Sequence, residues 1–160
     1  MTTIYIARHG QNEDNVRGIL NGHRDLPLTD LGRQQARQLA RHIKDRELVF
    51  DAVYASPLGR AFETAAIVAA ELELAEPIIH DDLIERDFGI MTGTFPELLA
   101  RGQRVLDFMA RQHPDQTVLL ACHGDIGKMI YAAATSTPWR QVLTDFYFGN
   151  TDIIGPVDVL

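Results

Sequence analysis

The chain has 160 residues, 46% of them hydrophobic and 23% charged, the size and balance of one globular domain with a buried core, so residues 1–160 are expected to form a single domain. A formal net charge of -7 argues against broad binding to nucleic acid or to an anionic membrane, because both need a positive surface. No run approaches the roughly 20 apolar residues of a membrane span, the N-terminus lacks the charged-then-apolar order of a signal peptide, and Cys122 has no second cysteine to pair with, so a cytoplasmic location is the expectation.

Residues 2–8 read as a strand, with Ile4, Tyr5, Ile6 and Ala7 suited to burial before the chain turns polar at Arg8-His9-Gly10. A polar, glycine-containing stretch follows to Asp30. The segment from Thr29 to Leu48 then places Leu31, Ala36, Leu39, Ala40 and Ile43 near helical spacing, with Thr29 or Asp30 as N-cap. Residues 52–54 form a short strand stopped by Pro57, and Leu58 to Leu74 a second helix with Leu58, Phe62, Ala65, Val68, Ala69 and Leu72 inward. "PIIHDDLIERDFG" gives a short extended segment and a loop of mixed charge. Pro96 to His113 is a third helix, "TVLLACHG" the most apolar strand, and Asp125 to Ala134 a fourth helix. The C-terminal "TDFYFGNTDIIGPVDVL" alternates and breaks at Gly149-Asn150, as a pair of extended segments would. Strands separated by helices imply an α/β fold, a three-layer α/β/α sandwich around a central, mostly parallel sheet.

In such sheets ligands collect at the carboxyl ends of strands. Arg8-His9-Gly10 follows the first strand, Ser56 to Arg60 the second, and His123-Gly124 the strand "TVLLAC". Aligning those ends gathers Arg8, His9, Arg60 and His123 around one cavity. Guanidiniums offer forked donors to phosphate oxygens, and a histidine offers a donor or a nucleophile. Singly, each has a plainer reading: a histidine at a strand end is most often a hydrogen-bonded structural residue, and Arg60 a solvated residue on an amphipathic helix. Repetition at equivalent strand ends is what points to a site. The six histidines never pair at zinc-ligand spacing, so no metal is expected, and Cys122 reads as a small core residue.

"RHG" after the first strand, Asn15, "GHRDLPLTDLGRQQA", "YASPLGRAFETA", "LIERDFG" and "VLLACHG", in that order from Ile4 to Ile130, resemble the histidine phosphatase superfamily, which includes phosphoglycerate mutases, fructose-2,6-bisphosphatases and broad phosphatases. The resemblance implies a phosphoglycerate mutase-like fold and a role for each matching residue. His9 corresponds to the nucleophile that takes the phosphoryl group on nitrogen, its other ring nitrogen held by a backbone carbonyl and its neutral form favoured by two nearby cations. Arg8, Arg60 and His123 match the groups around the phosphoryl oxygens. Glu85 matches the acid that protonates the leaving alkoxide and later activates water, for which its pKa should be raised. Chemistry alone leaves Asp81, Asp82 and Asp87 as competitors; the resemblance selects Glu85.

Asn15, the Asn21-Gly22 pair and Gly124 complete the implied substrate-binding set. The chain departs from the usual pattern at Gln11-Asn12, where relatives often carry Glu-Ser or Glu-Thr, and at Asn21-Gly22, where they carry Thr-Gly or Ser-Gly; the amides still donate hydrogen bonds. Relatives acting on small sugar phosphates usually have a long lid insertion between the glutamate and the second His-Gly. Here Gly93 to Thr117 leaves room for about one helix and a turn. An open pocket disfavours mutase chemistry, which must protect a phosphohistidine from water, although Arg86 and Phe88 resemble a mutase segment. The expectation is a phosphomonoester hydrolase with a phosphohistidine intermediate and no metal or organic cofactor. Its expected partners are a phosphorylated small molecule, phosphate or another oxyanion in the pocket, and a second copy in a homodimer. A phosphoglycerate mutase, a phosphohistidine protein phosphatase and a non-catalytic phosphate-binding regulatory module are the alternatives.

Overall fold

The computed structural model describes residues 1–87 and 93–160, so the expectation at Phe88 lies outside the described residues. In chain order the elements are β1 (Thr2–Arg8), α1 (Glu13–Arg17), α2 (Asp30–Asp45), β2 (Ala52–Ala55), α3 (Gly59–Glu71), β3 (Ile78–Ile79), α4 (Phe95–Gln112), β4 (Thr117–Cys122), α5 (Gly124–Thr135), α6 (Trp139–Asp145) and β5 (Ile153–Val159), with one 3-10 turn at Asp81–Leu83. The strands form one sheet in the order β3-β2-β4-β1-β5. All pairs are parallel except β1 with β5, as expected for a mostly parallel α/β sheet.

Alternation along the central strands divides the core. Ile4 and Ile6 of β1 and Val118, Leu120 and Cys122 of β4 face α4 and α5, with Leu98, Leu106, Met109, Ile126 and Ile130 packed on them. Tyr5, Ala7, Leu119 and Ala121 face the other way, onto Leu39, Ala40 and Ile43 of α2 and Ala65, Val68 and Ala69 of α3. Both faces are covered, which is why β1 and β4 are apolar almost without interruption.

The four sequence-derived helices begin within one residue of their observed starts, α2 and α3 end three residues earlier than expected, and Thr29 caps α2 by accepting from Gly32 N. Three assignments need correction. Leu31 is 49% exposed rather than inward, because the inward position of that turn belongs to Gly32. The stretch before Asp30 contains α1, whose cap is an Asn12–Asn15 box in which each side chain binds the other's backbone N–H. Of the two C-terminal extended segments only the second is a strand; the first begins inside α6, where Val142 is buried.

The turn after β1 is pinned to the start of α2. Thr29 N donates to Gln11 O at 2.9 Å, and Gly10 and Gly32 touch backbone to backbone. A Cβ on Gly32 would lie 2.1 Å from Gln11 O, and a backbone carbonyl cannot swing aside as a side chain can. Gly32→Ala should therefore cost about 3 kcal/mol, seen as a fall of about 6–12 °C in thermal midpoint by circular dichroism.

Candidate active site

Register brings the strand ends level. Arg8 pairs with Cys122 across β1 and β4, and Ala55 with Ala121 across β2 and β4. His9, Ser56 and His123 therefore emerge at one edge of the sheet, where a cavity of about 330 Å³ opens. Arg8, His9, Asn15, Asn21, Gly22, Arg60, Glu85 and Gly124 all line it. His123 is fully buried just beneath, its ring centroid 5.2 Å from that of His9.

His9 is 2% exposed and held at both nitrogens. Nδ1 lies 2.7 Å from Gly10 O, so it carries the ring proton and donates to the carbonyl. Nε2 is then an unprotonated acceptor, and Arg60 Nε donates to it at 3.3 Å. Burial, reinforced by the Arg60 and Arg8 charges, lowers the His9 pKa from 6.5 to about 3. Gly10 N in turn donates to Thr64 Oγ1 at 3.0 Å, which fixes the turn against α3.

Arg60, on the first turn of α3, has no exposed surface. Besides His9, its Nη1 donates to Arg24 O and its Nη2 to Gly22 O at 2.8 Å. Gly22 thus serves through its carbonyl. Asn21 accepts at Oδ1 from Asn12 Nδ2, which anchors the same loop to α1. Arg8 donates from Nη1 to Phe148 O at 2.7 Å, while its buried Nε has no hydrogen-bond partner and lies beside Gly124.

His123 Nε2 meets Ser56 Oγ at 2.7 Å, and that hydroxyl also accepts from Leu58 N. With the hydroxyl proton given to Nε2, the ring proton lies on Nδ1, which is buried and unpartnered and so is a donor for an anionic oxygen. Burial foremost, then the His9, Arg60 and Arg8 charges, holds the His123 pKa well below the ordinary histidine value.

The Glu85 carboxyl accepts from Arg86 N at 2.9 Å and from Asp125 N and Ile126 N at the start of α5, both at 3.2 Å. Those three donors favour the anion, yet burial, helped by the Asp125 charge, outweighs them and raises its pKa. Asp81, Asp82 and Asp87 do not line this cavity.

Four contributors escape a reading of the sequence. His23 Nε2 donates to Glu85 O at 2.8 Å, and Arg101 Nη1 donates to Ile84 O, so the peptides on both sides of Glu85 are clamped. Asn150 Nδ2 donates to His9 O at 3.0 Å and to Asn15 Oδ1 at 3.1 Å. That orients Asn15 with Nδ2 as the group it can donate to a ligand. Ser56 orients His123, as described. The break at Gly149-Asn150 and the motifs containing Ser56 and His23 signal three of these positions in the sequence, and nothing signals Arg101; their roles come from long-range approach.

A model of the histidine phosphatase superfamily (branch 1) matches residues 4–99. The chain belongs to that superfamily. It is 42% identical over 92 residues to a 2,3-bisphosphoglycerate-dependent phosphoglycerate mutase of Parvibaculum lavamentivorans, a stretch that covers 56% of this chain and 44% of that protein; the chain thus spans less than half the length of that relative. It is 32% identical over 144 residues to the uncharacterized phosphatase PhoE of Bacillus subtilis, covering 78% of this chain and 72% of that one. Among solved structures it superposes on phosphoserine phosphatase from Entamoeba histolytica in complex with phosphoserine with a TM-score of 0.83 at 25% identity, covering 96% of this chain and 89% of the other.

Because the folded protein holds His9 neutral down to about pH 3 and the unfolded chain protonates it near 6.5, the unfolded state binds the extra proton between those values. Stability conferred by the neutral imidazole is thus complete above 6.5 and is lost as pH falls, by up to about 1.4 kcal/mol per unit. Urea unfolding between pH 6.5 and 4 should show a shallower acid loss for His9→Asn than for the native chain.

Proposed function

We propose that the protein is a phosphomonoesterase that passes the phosphoryl group through His9. The observation that carries this reading is one imidazole with Nδ1 committed to Gly10 O and an unprotonated Nε2 facing Arg60, in the same cavity as a carboxyl with a raised pKa. The lone pair on Nε2 attacks phosphorus as the ester P–O bond breaks, and the Glu85 proton goes to the leaving oxygen, releasing the alcohol. Water then attacks phosphorus, gives a proton to Glu85, and the P–N bond breaks to free phosphate. Arg60 Nε, displaced from Nε2 by the new P–N bond, turns to a phosphoryl oxygen. Arg8 Nε and His123 Nδ1, both without partners in the protein, supply further donors.

The cationic and neutral donors meet the phosphoryl charge from side chains, so the proposal calls for no metal, and turnover should survive a chelator unchanged. Of the described residues between Glu85 and His123, only Arg86 and Phe95 reach the cavity wall, and the rim residues Leu20 and Tyr147 are 69% and 84% exposed. Water therefore has access to a phosphohistidine, which favours hydrolysis over mutase transfer. Assay of 3-phosphoglycerate with and without a bisphosphoglycerate primer should yield glycerate and phosphate in place of 2-phosphoglycerate.

His9→Ala should reduce turnover of p-nitrophenyl phosphate by at least about 10³-fold; full activity in that variant would end the proposal. Glu85→Gln should slow an alkyl phosphate far more than p-nitrophenyl phosphate, whose leaving group needs no proton. For alkyl phosphates kcat/KM should fall as pH rises through the raised Glu85 pKa, since the acid must begin protonated. Equal slowing of both substrates by Glu85→Gln would remove Glu85 from the acid role.

A further inference from the structure

The cavity holds a cation that the proposed handling of a simple phosphate ester does not use. Among the described residues four cations line it, Arg8, Arg60, Arg86 and Lys128, against the carboxyls of Glu85 and Asp125. Arg86 is committed to Asp125, Nε to Oδ2 at 3.2 Å. Arg8 and Arg60 are the cations assigned to the phosphoryl group. Lys128 is left over. Its ammonium stands 5.6 Å from the Phe146 ring centroid and forms no ion pair among the described residues. In a chain of net charge -7, an unpaired cation facing a polar cavity is a ligand group in waiting.

Its place sets the geometry of that ligand. Gly124, at the start of α5, lies against Arg8 and Glu85, where the phosphoryl group belongs. Lys128 is four residues on, on the same helix face and about 6 Å along the axis. A cavity of about 330 Å³ is at the small end for ligand sites, which suits a compact molecule rather than a nucleotide or long chain.

We propose that Lys128 is a specificity residue that selects short phosphate monoesters carrying a second anionic group, a carboxylate or another phosphate, across a spacer of about three carbons. The proposal rests on the phosphomonoesterase reading and adds the substrate class to it. A charge-assisted contact in a partly desolvated cavity is worth about tenfold in affinity or more.

The test pairs substrates that differ in that group alone. Wild-type kcat/KM should favour 3-phosphoglycerate over glycerol 3-phosphate, and propane-1,3-diol bisphosphate over its monophosphate, by about tenfold; whichever pair shows the larger ratio identifies the second group. Lys128→Gln should bring both ratios to near unity, Lys128→Arg should retain them, and Lys128→Glu should shift preference toward O-phosphoethanolamine. Calorimetric titration of the same esters into the His9→Ala protein, with and without Lys128→Gln, reads the preference without turnover. Loss of p-nitrophenyl phosphate hydrolysis in the wild type would overturn the enzymatic reading, while the titration still decides the role of Lys128. Wild-type ratios near unity, or ratios that survive Lys128→Gln, would overturn the specificity role itself.

Discussion

A guanidinium with no exposed surface has to find acceptors inside the protein, and much of the site follows from how Arg60 does so. Its Nε takes His9; its Nη atoms take the carbonyls of Gly22 and Arg24, with Asp25 Oδ1 at 3.9 Å as the nearest opposite charge. Those contacts fold the 21–25 loop over the start of α3, and each residue of the loop then reaches a further segment. Asn21 binds Asn12, the Arg24 side chain binds the buried Asp14 of α1, Asp25 accepts from Gly59 N, and His23 binds the carbonyl of Glu85. The proposed phosphate-binding arginine and the proposed acid are thereby linked through one short loop, although they stand 25 positions apart in the sequence.

Burying this charge would be costly on its own. It is offset by directed carbonyls and by a neutral imidazole whose lone pair points at it. The same arrangement makes the cavity positive where the chain as a whole is acidic. On the proposed function, an entering phosphate would replace weak acceptors with strong ones, so the binding energy would be drawn from an arrangement already in place.

The strand ends were legible because they are places where an apolar run meets a charge with no intervening turn: Ala7 to Arg8, and Cys122 to His123. Alternation within β1 and β4 made the layered fold readable for the same reason. What could not be read is anything set by approach across the chain. The sheet order depends on pairings such as Ile4 with Val118. Leu31 fits helical spacing, yet the close contact of Gly32 with Gln11 O turns Leu31 outward. The α1 helix is one turn long and capped by two asparagines, a variant of the Ser/Thr-with-Glu/Gln box. Family resemblance supplied Glu85 over its aspartate neighbours; the fold supplies the physical reason, since Glu85 alone among them meets the amides of α5 inside the cavity.

Burial acts on the proposed nucleophile and the proposed acid in opposite chemical senses with one physical cause. Removing water disfavours whichever form is charged, so it lowers the pKa of His9 and His123 and raises that of Glu85. The arginines deepen the first effect, and Asp125 the second. At neutral pH the buried floor of the cavity thus holds a deprotonated imidazole in the same site as a carboxyl biased toward its protonated form, the division of labour that phosphoryl transfer from an alkyl ester requires. In water at neutral pH the carboxyl would be ionised and the imidazole a mixture of its two forms. The amides of Asp125 and Ile126 oppose this bias: they aim the carboxyl and favour its anion, the form that the proposed second step needs for Glu85 to take a proton from water. A carboxyl held between a desolvating wall and two helix-terminal donors is suited to both proposed steps because burial favours its acid form and the amide donors its anion.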